Sequence, residues 1–321
     1  MLVILIVLSC GELTARILGW TAFYNTDYKV EVSPKGWLKG SKTYGIELSP
    51  GSYKVTLNDS VTFTTKHNSD GTRFVPDVPD SGVHIGFFGC SFTYGYGVDG
   101  DESFVAILQS EYPEYQVSNY GVPGWGEVQA GLRLSELIRK GMQPEAVVLV
   151  YSEVHRERNY LANSYRKALT MGFNRSNTDV ENQMKNARFP FIRQGHTEYE
   201  KWEHLYSNWM LREHSALVHA LQSSTEKKPD EEEIDGSTRS TMEQFASICK
   251  KNGIRCFLVN LDDLDFEKRF GNCAKKFDQC IHVGFDFTRN EWTNHPYDLH
   301  PNAKGHRIIA NSLHSLFYRL H

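Results

Sequence analysis

Two short stretches of the chain carry residues that could together perform nucleophilic catalysis. Ser91 follows an apolar run and a glycine-cysteine pair, a pattern that predicts a tight turn from a strand into a helix. Asp298 stands two residues before His300, just ahead of the last predicted helix. A serine hydroxyl is a poor nucleophile until a base removes its proton, and a histidine oriented by a carboxylate does this near neutral pH. The two stretches therefore predict Ser91 as a nucleophile, His300 as its base and Asp298 as the group that orients the base.

Each stretch is also compatible with a purely structural role or with a different chemistry. A serine after a glycine is often a helix N-cap, and Asp298 or Asn302 can cap the last helix without any catalytic role. An α/β-hydrolase elbow requires Gly-x-Ser-x-Gly, whereas Thr93 occupies the final glycine position. A metal hydrolase would use residues whose spacing matches no common zinc motif, namely His295, Asp298, His300 and His306. We therefore expect neither a metal nor a cofactor at this site.

The composition of the 321-residue chain is ordinary for a globular protein, with 40% hydrophobic and 23% charged residues. A formal net charge of −4 provides no basic excess to neutralise phosphates, which argues against a nucleic-acid partner. The six cysteines include no Cys-x-x-Cys pair, so their spacing indicates no zinc. Cys273 and Cys280 flank a short polar segment and are compatible either with a disulfide or with two separate thiols.

The N-terminal segment is apolar. Residues 1–11 carry no charged side chain, and a second apolar stretch from Ile17 to Phe23 follows Glu12 and Arg16. The uncharged run is shorter than the roughly 18 to 20 residues that span a bilayer, but Glu12 and Arg16 can pair across one helical turn. We interpret residues 1–23 as a signal-anchor or transmembrane segment that attaches the protein to a membrane. A buried N-terminal helix and a lipoprotein signal are the alternatives.

Short apolar runs alternate with helical patterns from Val83 onwards. The runs, which suit strands buried on both faces of a parallel sheet, are Val83 to Phe88, Tyr115 to Ser118, Ala146 to Tyr151, Ile254 to Val259 and Cys280 to Phe285. The helix candidates are Phe104 to Glu111, Glu127 to Lys140, Arg239 to Asn252 and Ala303 to Leu320. This alternation predicts a three-layer α/β fold with a parallel sheet and right-handed crossovers.

Two further segments lie outside this alternation. Residues 24–80 are typical of a β-rich extension, with a hairpin from Tyr53 to Phe63 around an Asn-Asp-Ser turn. Residues 152–238 are predicted to be an insertion near the active-site face, with a helix around Glu200 to Gln222 and a solvated charged loop from Lys227 to Asp235. The predicted units are residues 1–23, 24–80 and 81–321, the last with the insertion at 152–238.

Three blocks of the sequence resemble the SGNH/GDSL hydrolase superfamily. The family's first block, a Gly-Asp-Ser motif after the first strand, is similar to Gly89-Cys90-Ser91-Phe92, and its last block, Asp-x-His-Pro-Asn, is similar to residues 298–302. Residues 119–126 resemble the second block, whose glycine aligns with Gly124. Residues 68–73 resemble a segment that often precedes the first block in membrane-anchored bacterial members. The resemblance covers most of the chain from residue 50, although only the three blocks are specific.

The resemblance implies a flavodoxin-like α/β/α sandwich and a serine esterase whose catalytic part lies outside the cytoplasm, in the periplasm or at the cell surface. The serine, histidine and aspartate form its triad, and backbone N–H groups of Ser91 and Gly124 belong to its oxyanion hole. The implied substrate is an acylated carbohydrate that loses acetyl or another short acyl group. Tyr94, Tyr96 and Trp125 lie near the blocks and are compatible either with stacking on a sugar ring or with a place in the core. An O-acyltransferase acting on a cell-envelope or exported polysaccharide, and an inactive carbohydrate-binding homologue, are the alternatives.

Two positions depart from the family pattern. Cys90 replaces the aspartate that usually precedes the nucleophile. The family's third block supplies an asparagine side chain to the oxyanion hole, but the stretch from Ser152 to Asn159 has Val154 at the aligned position. His155 and Arg158 are the candidates to replace this donor, although the same residues are compatible with a charged helix start in solvent. Loss of one such donor typically lowers the rate about 10²–10³-fold.

Overall fold

The structure is a computed structural model that describes residues 2–23, 28–76, 82–176, 183–207, 209–226 and 229–320. In chain order its first elements are α1 (Leu2–Ile17), β1 (Val30–Ser33), β2 (Leu38–Ser41), β3 (Gly45–Leu48), β4 (Gly51–Leu57) and β5 (Val61–His67). The next are β6 (Val83–Gly89), α2 (Ser91–Tyr94), α3 (Phe104–Glu111), β7 (Tyr115–Gly121), α4 (Glu127–Arg139) and β8 (Ala146–Tyr151). Then follow α5 (His155–Tyr160), α6 (Asn163–Ser176), β9 (Arg188–Arg193), β10 (His196–Lys201), α7 (Ala216–Thr225) and α8 (Glu231–Lys251). The last are β11 (Arg255–Asn260), α9 (Phe266–Ala274), β12 (Gln279–His282), α10 (Ala303–Ser312) and α11 (His314–Phe317).

A five-stranded parallel sheet in the order β12-β11-β8-β6-β7 lies at the centre of the fold. Its strands coincide with the apolar runs of the sequence, and β8 is buried along its whole length, as a strand covered on both faces must be. One face packs against α3, α10 and α11, and the other against α4, α8 and α9. The predicted three-layer α/β/α sandwich with a parallel sheet is therefore confirmed.

The carboxyl end of β6 leads directly into α2, which begins at Ser91. Cys90 precedes the helix in an extended conformation and is its N-cap residue, so Ser91 is the first helical residue and not the cap. Arg73 fixes the other end of α2, because its buried guanidinium donates to the carbonyl oxygens of Gly95 and Val98 at 2.6 and 2.7 Å. A charged group held by several carbonyls inside the protein is a rigid clamp, and this one determines where the turn carrying Ser91 lies.

The β-rich extension packs on that same turn. It forms an antiparallel sheet in the order β1-β4-β5 and a separate β2-β3 hairpin. The predicted hairpin is present, and the turn between β4 and β5 places Asn58 and Asp59 at φ values of 47° and 56°, a left-handed conformation that these residue types tolerate. The Trp37 ring lies 6.0 Å from the Tyr94 ring and 5.9 Å from the Tyr96 ring. Aromatic packing thus joins the extension to the segment that follows Ser91.

The N-terminal helix α1 is fastened to α7 by Glu12. Its carboxylate forms the expected ion pair with Arg16 at 2.7 Å, and accepts hydrogen bonds from Ser215 Oγ and from the first two N–H groups of α7. These hydrogen bonds, that of Ser215 foremost, lower the pKa of Glu12 to about 2. Among the residues that the structure describes, no helix combines the length and the apolar character that crossing a bilayer requires. The interpretation of residues 1–23 as a membrane segment stays a prediction.

The helix predicted around Glu200 to Gln222 is wrong over most of its length. Its first residues belong to β10, which pairs with β9 in an antiparallel hairpin ending at Lys201, and the helix α7 begins only at Ala216. The pairing is favoured by a two-residue turn at Gln194 and Gly195, both at positive φ. The division of the chain into separate units stays a prediction.

The charged run from Lys227 to Asp235 is also more ordered than predicted. Its first two residues lie outside the described part of the chain, but α8 begins at Glu231, because the Asp230 side chain accepts the N–H of Glu232 and caps the helix. Acidic side chains in the first turn are favoured by the helix dipole. The last predicted helix, Ala303 to Leu320, is divided into α10 and α11.

Cys273 and Cys280 are separate free thiols. Cys273 Sγ lies 3.7 Å from the carboxylate of Glu243, and Cys280 Sγ lies 3.6 Å from a ring nitrogen of His282. Of the two alternatives left open by the sequence, the structure contains the pair of separate thiols.

Candidate active site

Ser91, His300 and Asp298 form a continuous hydrogen-bonded chain. Ser91 Oγ lies 2.8 Å from His300 Nε2, and His300 Nδ1 lies 2.6 Å from Asp298 Oδ1. The same carboxylate oxygen accepts the backbone N–H of His300 at 2.7 Å. With its Nδ1 proton donated to Asp298, the imidazole presents Nε2 to the serine proton, which is the tautomer that a general base requires. The structure thus brings together the three residues selected from the sequence, and their catalytic role stays a prediction.

The loop that carries Asp298 and His300 is held by its own helix cap. Asn302 is the N-cap residue of α10, and its side chain accepts the N–H of Gly305 at 3.0 Å. The Asn302 side chain also donates to the carbonyl oxygen of Thr293 at 2.8 Å. Because Asn302 performs the capping, the carboxylate of Asp298 remains available to the histidine.

Asp298 is an ionised carboxylate in a largely buried position. Its side chain is 5% exposed. Burial raises its pKa, but the pKa is lowered overall because the charge of His300 and hydrogen bonds from His300 and Tyr28 stabilise the anion. The Tyr28 hydroxyl donates to Oδ2, the oxygen that the imidazole does not use. Both oxygens of the carboxylate are therefore engaged.

Aromatic rings restrain the imidazole of His300. Its ring centre lies 4.6 Å from that of Tyr96 and 5.3 Å from that of Phe92, and its side chain is 23% exposed. Both aromatic residues follow Ser91 within the same short segment. The nucleophile segment itself therefore holds the base in place, and the remaining exposed part of the ring is available to substrate.

The glycine of the second block lies in a tight turn beside the cavity at Ser91. A backbone hydrogen bond of 3.1 Å closes a four-residue turn with Pro123 and Gly124 at its centre. Gly124 has a φ of 88°, the value that favours glycine at this position of a type II turn. Tyr165, from α6, donates its hydroxyl to the carbonyl oxygen of Gly124. Ser91 and Gly124 line the same cavity, as two backbone donors to one oxyanion must.

Cys90, the first departure from the family pattern, lies beside His155, one of the two candidates to replace the missing asparagine donor. His155 is fully buried, its Nδ1 lies 2.5 Å from Glu127 Oε1, and its ring is close enough to the Cys90 thiol for the two groups to shift each other's pKa. Burial raises the pKa of Cys90 and lowers that of His155, but each shift is reversed, because the imidazolium of His155 stabilises the thiolate while the Glu127 carboxylate and the thiolate stabilise the imidazolium. His155 is therefore a buried partner of Cys90 and not a group that faces the oxyanion.

Arg158 is the third-block candidate that does line the cavity. Its Nη1 donates to the carbonyl oxygen of Trp125 at 2.9 Å, and its guanidinium lies 5.7 Å from the centre of the Tyr165 ring. These contacts hold a positive charge next to the turn that carries Gly124. Of the two replacements suggested by the sequence, only the arginine is placed at the cavity.

A largely apolar cavity of about 460 Å³ opens beside the triad. The triad residues and Gly124 form part of its lining. The extension contributes Tyr28, Val30, Trp37, Leu38 and Ile46, and the insertion contributes Arg158, Tyr165, Ala168, Leu169 and Gly172. An apolar group attached to a carbonyl at Ser91 can therefore be removed from water there.

Tyr94 and Trp125, the candidates for contact with a sugar ring, lie in the core. Tyr94 is fully buried and its hydroxyl donates to Thr65 Oγ1 at 2.8 Å. Trp125 donates its indole N–H to the carbonyl oxygen of Ile46 at 2.7 Å. Neither residue lines the cavity, so the structure does not place them where they could stack on a substrate; Tyr96, two residues after Tyr94, does line it.

Sequence reasoning missed three residues of this site. Tyr28, Tyr165 and Glu127 contact Asp298, Gly124 and His155 respectively. Tyr28 lies in the predicted β-rich extension and Tyr165 in the predicted insertion, and nothing in their spacing indicated a role. Glu127 appeared in the sequence only as the first residue of a predicted helix, and its burial, which requires a partner for the carboxylate, is evident only from the structure.

No family model and no curated protein matches the chain. Solved structures similar to it include that of TesA, at 12% identity and a TM-score of 0.43, over 74% of this chain and 99% of that chain. A lipolytic protein of the G-D-S-L family from Veillonella parvula is similar at 12% identity and a TM-score of 0.41, over 74% and 100%. A carbohydrate esterase whose active site displays divergent catalytic and non-catalytic binding functions is similar at 13% identity and a TM-score of 0.41, over 88% and 74%. The likeness concerns the fold alone, and the activity depends on the geometry of the site.

Proposed function

We propose that the protein is a serine esterase. The observation that carries this proposal is the hydrogen-bonded chain from Ser91 Oγ through His300 to Asp298. This arrangement activates a hydroxyl by removing its proton during attack on a carbonyl. The decisive experiment is ester hydrolysis that depends on Ser91.

The proposed reaction is acyl transfer in two steps. Ser91 Oγ attacks the ester carbonyl while His300 Nε2 takes the serine proton, and the imidazolium, stabilised by Asp298, returns that proton to the leaving alcohol. The N–H groups of Ser91 and Gly124 stabilise the tetrahedral oxyanion, and Arg158 is proposed as the third donor in place of the missing asparagine. A water molecule, deprotonated by the same imidazole, then attacks the acyl-enzyme, releases the carboxylic acid and restores the serine.

For the substrate, we propose an ester of a carbohydrate hydroxyl with acetyl or another short acyl group. The apolar lining of the cavity supports acyl groups longer than acetyl. Ile46 and Leu169 face the space next to Gly124, where an acyl chain attached to the serine would extend. An acetyl group would leave most of a 460 Å³ cavity unfilled.

A series of p-nitrophenyl esters tests the acyl preference. We expect kcat/KM to rise by about threefold to fourfold for each added methylene, the value of burying one such group, until the cavity is filled. Leu169→Trp, which places a large ring in the cavity, is expected to lower kcat/KM for the longer esters at least about tenfold and to leave acetyl ester hydrolysis nearly unchanged.

Leu264→Trp serves as the control for this series, because Leu264 is 94% exposed in a loop after β11 and does not line the cavity. Thermal unfolding of both variants checks that the added ring leaves the fold intact. A wild-type enzyme that prefers acetyl esters over all longer ones would contradict the longer-acyl preference and leave the acetyl substrate as the proposal.

The two alternative functions give different results with the same reagents. An O-acyltransferase would consume the ester faster when an acceptor sugar is added and would form acylated sugar instead of free acid. An inactive carbohydrate-binding protein would bind sugar but would not react with a fluorophosphonate probe at Ser91. The hydrogen-bonded triad supports the two active alternatives over the inactive one.

We also propose that α1 attaches the protein to a membrane, with the catalytic part outside the cytoplasm. The supporting observation is a row of exposed apolar side chains on α1, namely Ile6, Val7, Leu8, Leu13 and Ile17. We expect the purified protein to float with phospholipid vesicles in a density gradient, and the double variant Leu13→Asp/Ile17→Asp to stay at the bottom. Equal behaviour of the two proteins would contradict attachment through α1. A reporter enzyme that is active only outside the cytoplasm, fused to the C-terminus, tests the orientation.

A further inference from the structure

Tyr28 reaches the triad from the N-terminal extension. It precedes β1, yet its hydroxyl donates to Oδ2 of Asp298, 270 positions further along the chain. The other carboxylate oxygen, Oδ1, accepts both the side-chain and the backbone N–H of His300. Tyr28 therefore supplies the hydrogen bond that completes the surroundings of the carboxylate.

A second tyrosine supports this contact. The hydroxyl of Tyr96 is hydrogen-bonded to that of Tyr28, and the Tyr96 ring packs on His300. Burial, followed by the neighbouring Tyr96 and the charge of Asp298, raises the pKa of Tyr28 far above its ordinary value. The hydroxyl of Tyr28 thus keeps its proton at any pH at which an ester hydrolase operates, and it acts as a permanent donor to Asp298.

We propose that Tyr28 is a positioning residue of the catalytic centre, whose hydrogen bond fixes the orientation and the charge distribution of Asp298 and thereby the reactivity of His300. This inference rests on the proposed esterase function. Through Tyr28, the extension contributes a hydrogen bond to the catalytic centre in addition to its packing role.

The physical effect of Tyr28 follows from what its donor does to the anion. A carboxylate bound to an imidazole through one oxygen can rotate unless the other oxygen is also held, so the contact preorganises the pair. A donor also spreads the negative charge away from the imidazole, and it favours the ionised carboxylate. Without the hydroxyl, the pKa of Asp298 rises towards its ordinary value and the imidazolium form of His300 becomes more stable. Both changes leave less of the active pair, neutral imidazole beside ionised carboxylate, at acidic pH.

Tyr28→Phe removes the hydroxyl and keeps the ring in the cavity wall. We expect kcat to fall roughly tenfold, the size expected when a hydrogen bond to an ionised group is lost and part of its effect belongs to the transition state. The acid limb of the pH profile of kcat/KM is expected to move to higher pH, while KM changes less than kcat.

The titratable and charged groups that face the His300–Asp298 pair are Tyr28, Tyr96, Ser91, Arg158 across the cavity and His306 on α10. Of these groups, only Tyr28 differs between the wild-type enzyme and Tyr28→Phe. A shift of the acid limb is therefore caused by the loss of the Tyr28 hydroxyl.

Tyr53→Phe is the matched control. Tyr53 lies in the same extension and donates to the carbonyl oxygen of Pro50 at 3.1 Å, away from the cavity. This variant also loses one tyrosine hydroxyl, and we expect it to keep the wild-type pH profile. The NMR signal of the His300 Nδ1 proton adds a readout that needs no turnover. Its chemical shift is expected to change in Tyr28→Phe and to stay at the wild-type value in Tyr53→Phe.

Two results would overturn the inference. One is a Tyr28→Phe enzyme with the wild-type acid limb and an unchanged chemical shift of the Nδ1 proton. The other is a rise in KM alone, which would make Tyr28 part of the cavity wall and nothing more. If the wild-type protein hydrolyses no ester above the level of Ser91→Ala, the esterase proposal fails instead, and the chemical shift of the Nδ1 proton still decides whether Tyr28 controls the His300–Asp298 pair.

Discussion

Replacing Ser91 by alanine is expected to lower the turnover of an ester substrate by more than about 10³-fold while the fold stays intact. The hydroxyl is the only group removed, and its partner within the triad is His300 Nε2 at 2.8 Å. Without it, no acyl-enzyme can form, and the remaining rate comes from the oxyanion donors acting on water. Steady-state hydrolysis of a p-nitrophenyl ester measures the loss.

The same variant provides the control for contamination, because traces of other esterases hydrolyse such esters. The wild-type protein is expected to be labelled by a fluorophosphonate probe at Ser91, identified by mass spectrometry of the modified peptide. Ser91→Ala is expected to stay unlabelled under the same conditions. Wild-type activity in the alanine variant would show that Ser91 is not the nucleophile.

Replacing His300 by alanine is expected to cause nearly the same loss, because the members of a triad act as a unit. The variant keeps the serine hydroxyl but has no group to accept its proton, since Nε2 is the atom that faces Oγ. Added imidazole is expected to restore part of the lost rate by entering the vacated space and acting as the base. The measurement is kcat as a function of imidazole concentration.

His295→Ala is the matched control for this experiment. His295 is an exposed histidine on the same loop, five residues before His300. We expect it to retain wild-type turnover and to gain nothing from imidazole. A His300→Ala enzyme with undiminished activity would remove the histidine from the mechanism, whatever its distance from Ser91.

The triad could be selected from the sequence because its parts are local motifs at the ends of predictable elements. Ser91 follows a strongly apolar strand, and Asp298 and His300 precede an amphipathic helix, so each position is fixed by a short pattern. The carboxyl ends of parallel strands meet at one edge of the sheet, which makes their proximity an expected consequence of the fold. Selecting these residues and expecting them to lie close together therefore require no knowledge of contacts between distant parts of the chain.

The supporting residues could not be selected in this way. Tyr28 and Tyr165 reach the site through packing between segments far apart in the chain, and a single tyrosine has no spacing that indicates its partner. Tyr94 and Trp125 are the opposite case, because, of the two roles left open by the sequence (sugar contact and core packing), the structure shows core packing. They lie within or beside the motifs, but their polar atoms bind the protein itself, which is what buried tyrosine and tryptophan side chains usually do.

Among the secondary-structure elements, too, those set by local sequence were predictable and those set by contacts between distant segments were not. Strands of the parallel sheet were predictable because apolar runs are intrinsic to them. The region from Glu200 to Gln222 was not, because β10 exists through its pairing with β9 and its sequence alone does not exclude a helix. The early start of α8 depends on Asp230, a capping residue inside what looked like a charged linker.

Most of the cavity wall comes from segments other than those that carry Ser91, Asp298 and His300, which themselves form the rest of the lining together with their neighbours. The residues that perform the reaction and most of those that select the substrate thus lie in different segments of the chain. Residues 28–48 and 158–172 can be randomised in a directed-evolution library while the sheet, the nucleophile turn and the last loop are kept constant. Such a library samples new selectivities on an unchanged catalytic centre, with Tyr28, Arg158 and Tyr165 as the positions to hold fixed.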